Sequence, residues 1–160
     1  MKIKMRFWLL AAMLISTGLP AQVSPREGTD NQVNKTKSLI ESGAVTRVLI
    51  FHVPDSTMTR VALTPKALLS MAGSGYEITT DIKERLKPVF EGMTFEKGNR
   101  VPDLRWGLLF YGADNHEIGE VFVDKFGQYG YVNRESGSFQ SEHRGSNLTK
   151  ELHKLTGDPR

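Results

Sequence analysis

Residues 104 to 124, LRWGLLFYGADNHEIGEVFVD, constrain the fold more than any other stretch of the chain. Two apolar runs, Leu104 to Tyr111 and Ile118 to Val123, flank Gly112-Ala113-Asp114-Asn115-His116-Glu117. Gly, Asp and Asn supply the backbone freedom and side-chain hydrogen bonds that reverse a chain, so the pattern predicts a β-hairpin. Along its first arm Leu104, Trp106, Leu108 and Phe110 alternate with Arg105, Gly107, Leu109 and Tyr111, the period of two that a pleated strand imposes. The first set carries the largest apolar payload in the chain. It is the expected core face, with the other elements paired beside the hairpin or packed on it.

Upstream, Val45, Val48, Leu49, Ile50, Phe51 and Val53 form a β-branched-rich run closed by Pro54-Asp55, which predicts a first strand. Arg60 to Leu63 is expected to return antiparallel to it. Thr64-Pro65 opens a short helix over Lys66 to Ala72, since Thr caps the free N–H groups and Pro fits the first helical turn at no cost. Gly73-Ser74-Gly75 ends that helix, and Tyr76 to Thr79 reads as a brief extended piece. A second helix runs from Ile82 toward Glu91, capped by Thr80 or Asp81, with Pro88 expected to kink it or end its regular part near Lys87. Met93-Thr94-Phe95 reads as a short strand, and Glu96 to Asp103 as a loop.

Beyond the hairpin, the tight Lys125-Phe126-Gly127 turn leads into a third strand, Gln128 to Asn133, completing a meander. Arg134 to Gly145 is polar and glycine-bearing and reads as a connection pinned by Phe139. Ser146 or Asn147 then caps a last helix, which places Leu148, Leu152 and Leu155 on one face and ends at Gly157. Strands and helices mix without regular βαβ alternation, so the expected class is α+β: a mainly antiparallel sheet with a C-terminal three-stranded meander, two central helices and a C-terminal helix. A doubly wound nucleotide-binding sheet is disfavoured, because no glycine-rich phosphate loop follows the first strand.

The N-terminus carries a different kind of information. A basic start, Met1 to Arg6, an apolar run from Phe7 to Ile15 and small residues up to Ala21 predict a secretory signal over residues 1–21. The run is about half the ~20 residues of a bilayer span, so no stable membrane insertion is expected after cleavage. With no Cys in the chain, lipoprotein acylation is excluded and no disulfide can staple the exported domain. The chain holds 21 Lys and Arg against 18 Asp and Glu; removing Lys2, Lys4 and Arg6 leaves the two signs equal. The broad positive field that nucleic acid requires is therefore missing. Residues 22–43 read as a solvated, flexible leader with a helical turn at most over Lys37 to Glu41, and residues 44–157 as a single domain in the periplasm or outside the cell.

Signals for chemistry are sparse. His52, His116, His143 and His153 lack the spacing of zinc ligands, so no metal and no cofactor is expected. No nucleophile elbow is present, and no catalytic residue is assigned. The acids Asp103 with Glu96, or Glu117 with Glu120, are the pairs from which a small envelope hydrolase would be built, with His116 as a further candidate. What stands out instead is aromatic and cationic: Tyr111, Tyr129 and Tyr131, with Arg105 and Arg134, fall on neighbouring meander strands. Tyr and Arg are enriched at protein–protein hot spots.

The signal, the strand phrase Asp103 to Tyr111 with its return Ile118 to Asp124, and the closing amphipathic helix resemble small exported bacterial proteins of unassigned activity. These include periplasmic immunity proteins, which neutralise toxins delivered by neighbouring cells. The resemblance covers residues 44 to 157 and implies a binding protein that occludes a protein partner, such as a secreted toxin or a cell-wall-active enzyme. The envelope hydrolase is the alternative.

Overall fold

The hairpin lies at the centre of the sheet. Its arms are Leu104–Tyr111 and Glu117–Asp124, and its turn closes through Gly112 N–H to His116 O (2.9 Å) and Asn115 N–H to Gly112 O (3.0 Å). Asn115 takes the left-handed conformation at φ 61° that this reversal needs. The computed structural model describes residues 30–141 and 148–157. In chain order they form α1 (Asp30–Glu41), β1 (Arg47–His52), α2 (Pro65–Met71), β2 (Tyr76–Ile78), α3 (Ile82–Phe90), β3 (Met93–Lys97), β4 (Leu104–Tyr111), β5 (Glu117–Asp124), β6 (Tyr129–Val132), β7 (Glu135–Ser141) and α4 (Leu148–Thr156). The expected signal segment, residues 22–29, His143, Ser146 and Asn147 lie outside the described residues.

The seven strands pair antiparallel throughout, in the order β2-β1-β4-β5-β6-β7-β3. The fold is α+β, as the pattern of elements predicts. On the first face of the sheet, Val33 and Ile40 of α1, Leu86 and Val89 of α3, and Leu148 and Leu152 of α4 join Val48, Ile50, Trp106, Leu108, Phe110, Val121 and Val123 in the main core. The second face carries a smaller cluster, in which Leu68 of α2 and Val53 and Leu63 meet Leu104, Leu109 and Phe122. Every residue of β4 except Tyr111 is buried.

Five local expectations differ from what is observed. Leu104 belongs to the second face, because a bulge between Leu104 and Trp106 inserts an extra residue and reverses the side on which Leu104 stands. Arg60 to Leu63 forms no strand; the partners of β1 are β2 and β4. The polar stretch after Arg134 is the strand β7, whose Phe139 packs against Phe95 of β3 with ring centroids 5.1 Å apart. Half of the expected leader is α1, a helix that buries Val33, Thr36 and Ile40. Nor does Pro88 end the helix near Lys87: α3 continues to Phe90 and Glu91 N–H still reaches Lys87 O.

Two paired glycines allow the last strands to close. Gly130 lies opposite Gly137, and a Cβ on Gly137 would stand 2.1 Å from Glu96 O and 2.7 Å from the Phe95 ring. The glycines thus give the Phe95–Phe139 pair its room. Among the described residues no helix is long and apolar enough to cross a membrane.

Trp106 is the deepest test of this arrangement, since His52 stacks on its ring at 3.8 Å and His153 meets it edge-on at 4.8 Å. Trp106→Ala should cost about 3–5 kcal/mol in denaturant unfolding. Gly137→Ala, an overpacking change, should cost about 1–3 kcal/mol by the same measurement.

Candidate functional site

Directly paired residues of a sheet share a face, so register places the tyrosines. On the second face one row runs Phe51, Gly107, Phe122, Tyr131, Ser136. One row to one side Tyr129 pairs with Ser138, and two rows to the other side, past Leu49, Leu109 and Glu120, Arg47 pairs with Tyr111. Gly107 opens this face: a Cβ there would lie 2.8 Å from the Phe122 ring and 3.2 Å from Leu68, so its absence lets α2 and Phe122 come together. Tyr111 and Tyr131 lean on the cluster this creates and stay half-buried. Tyr129 is half-buried as well.

Two of the tyrosines, at opposite ends of this face, carry an arginine. The Arg47 guanidinium lies 4.2 Å over the Tyr111 ring and also pairs with Glu77 at 3.6 Å. Arg100, on the connection from β3 to β4, lies 4.0 Å over Tyr129. That connection crosses the second face, tied by Gly98 N–H to Ser136 O and Ser136 Oγ to Gly98 O. Stacking of this kind is worth about 0.5–1 kcal/mol at exposed sites and holds the rings in place. Neither Arg47 nor Arg100 could be assigned to this face before the register was known.

Arg134 occupies the tip of the β6–β7 hairpin. Asn133 and Arg134 form a two-residue turn with φ of 48° and 70°, a geometry that favours Asn-Gly. Asn133 fits, and its side chain accepts from Glu120 N–H while donating to Gln32 of α1. Arg134 is conformationally costly there, yet its side chain is almost fully exposed, with Nε 3.7 Å from Glu120. Burial, and then the neighbouring Glu117, push the Glu120 carboxyl above its ordinary range, against the pull of Arg134.

Arg105 is placed apart from the tyrosines. It is the buried residue of the β4 bulge, donating from Nη1 to Thr57 O at 3.0 Å and from Nη2 to Asp103 at 2.7 Å. Asp103 also accepts from Leu63 N–H at 3.0 Å. This side chain is an internal tie rather than part of the half-exposed tyrosine face. Sequence alternation put it on the Tyr111 side, and the bulge is what withdraws it.

Of the other polar candidates, Glu117 stays close enough to Glu120 to raise its carboxyl. Asp114 accepts from His116 N–H, which is turn chemistry. His52 and His153, distant in sequence, come within 5.3 Å between ring centroids beside Trp106. Among the described residues no group of three or more His, Cys, Asp or Glu could hold a metal ion. A groove of about 390 Å³ lies between α1 and α3, rimmed by Lys37, Lys83, Lys87, Glu41 and Glu91. It was illegible in the sequence because α1 reads there as a leader. No protein-family model, no curated protein and no solved structure matches this chain.

The Asp103 tie sets a pH dependence. Burial alone would raise its carboxyl, but the Leu63 N–H and the Arg105 guanidinium outweigh it and hold it below the ordinary value of 3.8. A carboxyl lowered in the folded state stabilises the fold above its unfolded value, and that contribution is lost as pH falls through the folded value. Asp103→Asn should therefore lower the melting temperature at neutral pH, and the deficit relative to the native protein should shrink as pH is brought below 3.8. Thermal melts of both proteins across the acid range check this.

Proposed function

We propose that this chain is a small exported binding protein that acts by occluding a protein partner, in the manner of an immunity protein that neutralises a toxin, and that it uses the second face of its sheet to do so. The observation that carries the reading is that one face of the sheet carries three half-exposed tyrosines, Tyr131 and Tyr129 on β6 and Tyr111 further along on β4, with Arg47 over Tyr111, Arg100 over Tyr129 and Arg134 projecting from the β6–β7 turn. Rigid aromatic side chains flanked by arginine give large contact area at small entropic cost. Arg134 adds a second argument, since a residue kept in an unfavourable backbone conformation at an exposed tip is more readily explained by what it contacts than by stability.

A raised carboxyl at Glu120 supports the alternative, an envelope hydrolase in which that group serves as general acid. Glycan release from cell-wall preparations, abolished by Glu120→Gln, would favour it. The binding reading is tested by pull-down of the purified protein's partner from envelope extract, followed by affinity and melting measurements on variants. Tyr129→Ala and Arg134→Gly are the informative ones. Arg134→Gly relieves the backbone, so its melting temperature should hold or rise. At least one of the two should weaken partner binding by about 2 kcal/mol. Full affinity with native stability in both would eliminate this face.

A further inference from the structure

Three loops meet at the end of the sheet where β1 and β5 finish and β4 and β6 begin. The first, residues 53–64, is tied to the second, residues 98–103, by Leu63 N–H to Asp103 and by Leu104 N–H to Leu63 O; Arg105 holds it again at Thr57 O. The third is the turn at residues 125–127, joined through the pairing of Leu104 with Asp124 and closed by Gly127 N–H to Asp124 O. On these loops stand Met58, 98% exposed, Val61, 75%, Val101, 68%, and Phe126, 59%. They are four of the six large apolar side chains exposed among the described residues. Single exposed apolar residues are ordinary, but their concentration on hydrogen-bonded loops at one end is the mark of an interaction surface.

Each apolar tip has a cation beside it in the chain: Arg60 between Met58 and Val61, Arg100 before Val101, and Lys125 before Phe126. Among the described residues none of these three forms an ion pair, though Arg100 lies over the Tyr129 ring, and Lys125 lies 4.8 Å over the Phe126 ring with its charge felt at Asp103. The acids of the same loops are Asp55 and Asp103, and Asp103 is already engaged by Arg105. We infer that this end of the sheet is a docking surface for an acidic amphipathic protein segment, whose apolar side chains cover Met58, Val61 and Val101 while its carboxylates meet Arg60, Arg100 and Lys125. The inference rests on the binding-protein reading and extends its surface from Tyr129, through Arg100, to the loops. A membrane surface fits less well, because three cations supply only about 1 kcal/mol each toward an anionic bilayer.

The test uses three synthetic helical peptides of equal length, one of Leu and Glu, one of Leu and Lys and one of Ser and Glu, with vesicles containing phosphatidylglycerol as a fourth probe. Fluorescence anisotropy with the purified protein should show the Leu/Glu peptide binding roughly ten-fold or more tightly than the other two. That binding should fall by a similar factor in the Met58→Ser/Val61→Ser variant and in Arg60→Glu, with melting temperatures unchanged because these side chains are exposed. Equal binding of all three peptides, binding indifferent to both variants, or preferential binding to the vesicles would overturn the inference. So would self-association of the protein that the same substitutions abolish. If the Leu/Glu peptide fails while Tyr129→Ala still weakens the partner from envelope extract, the binding-protein reading stands and this surface alone is rejected.

Discussion

The buried guanidinium of Arg105 is where the parts of this protein meet. Burying a cation is costly unless hydrogen bonds and an opposite charge replace the lost water. Arg105 finds both at its two terminal nitrogens, in Thr57 O and in Asp103, while its buried Nε has no hydrogen-bond partner, and Asp103 is itself oriented by Leu63 N–H. One side chain thereby fixes the loop that leaves β1 and the loop that enters β4. The bulge that places it also turns Leu104 to the opposite face from Trp106, so the strand serves two cores: Trp106, Leu108 and Phe110 for the three-helix layer, Leu104 and Leu109 for the layer under α2. Substituting Arg105 would leave the Asp103 carboxylate without its ion-pair partner and the loop at Thr57 held to the next only by the Leu63 hydrogen bonds.

What could be read from the sequence was whatever repeats. The hairpin announces itself by two apolar arms around a Gly- and Asn-bearing turn; α2 by Thr64-Pro65, whose hydroxyl does accept from Ala67 N–H; α4 by leucines one helical turn apart. Where the period is carried by few large side chains, it was lost. Strand β7 alternates Ser136, Ser138 and Gln140 with Glu135, Gly137 and Phe139, and only one of these is a large hydrophobe. Helix α1 buries Val33 and Ile40 seven residues apart with Thr36 between them, too sparse a stripe to distinguish from a solvated tether. The bulge in β4 has no sequence signature at all, because Leu104-Arg105-Trp106 alternates as a regular strand would.

The candidate surface divides along the same line. Tyr129 and Tyr131 on one side of β6 follow from alternation alone, and Tyr111 follows from its place in β4. The arginines that stack on them do not, because Arg47 is carried there by pairing across β1 and β4 and Arg100 by a connection that crosses the face from the far edge. Nor does a sequence tell which apolar residues of a loop remain uncovered: Leu63 and Met58 sit five residues apart in one segment, the first in the core and the second in solvent.

The pairing of β3 with β7 orders events in time as well as in space. Met93 meets Ser141 and Lys97 meets Gly137, so a strand made before the central hairpin waits for the last strand of the meander before it has a neighbour. Until then its unpaired N–H and C=O groups offer a template to any other extended chain. A chain that emerges from its N-terminus first, whether from a ribosome or through a translocation channel, keeps that edge open from the emergence of Lys97 until that of Glu135, and a nascent chain cut short before residue 135 would never close it.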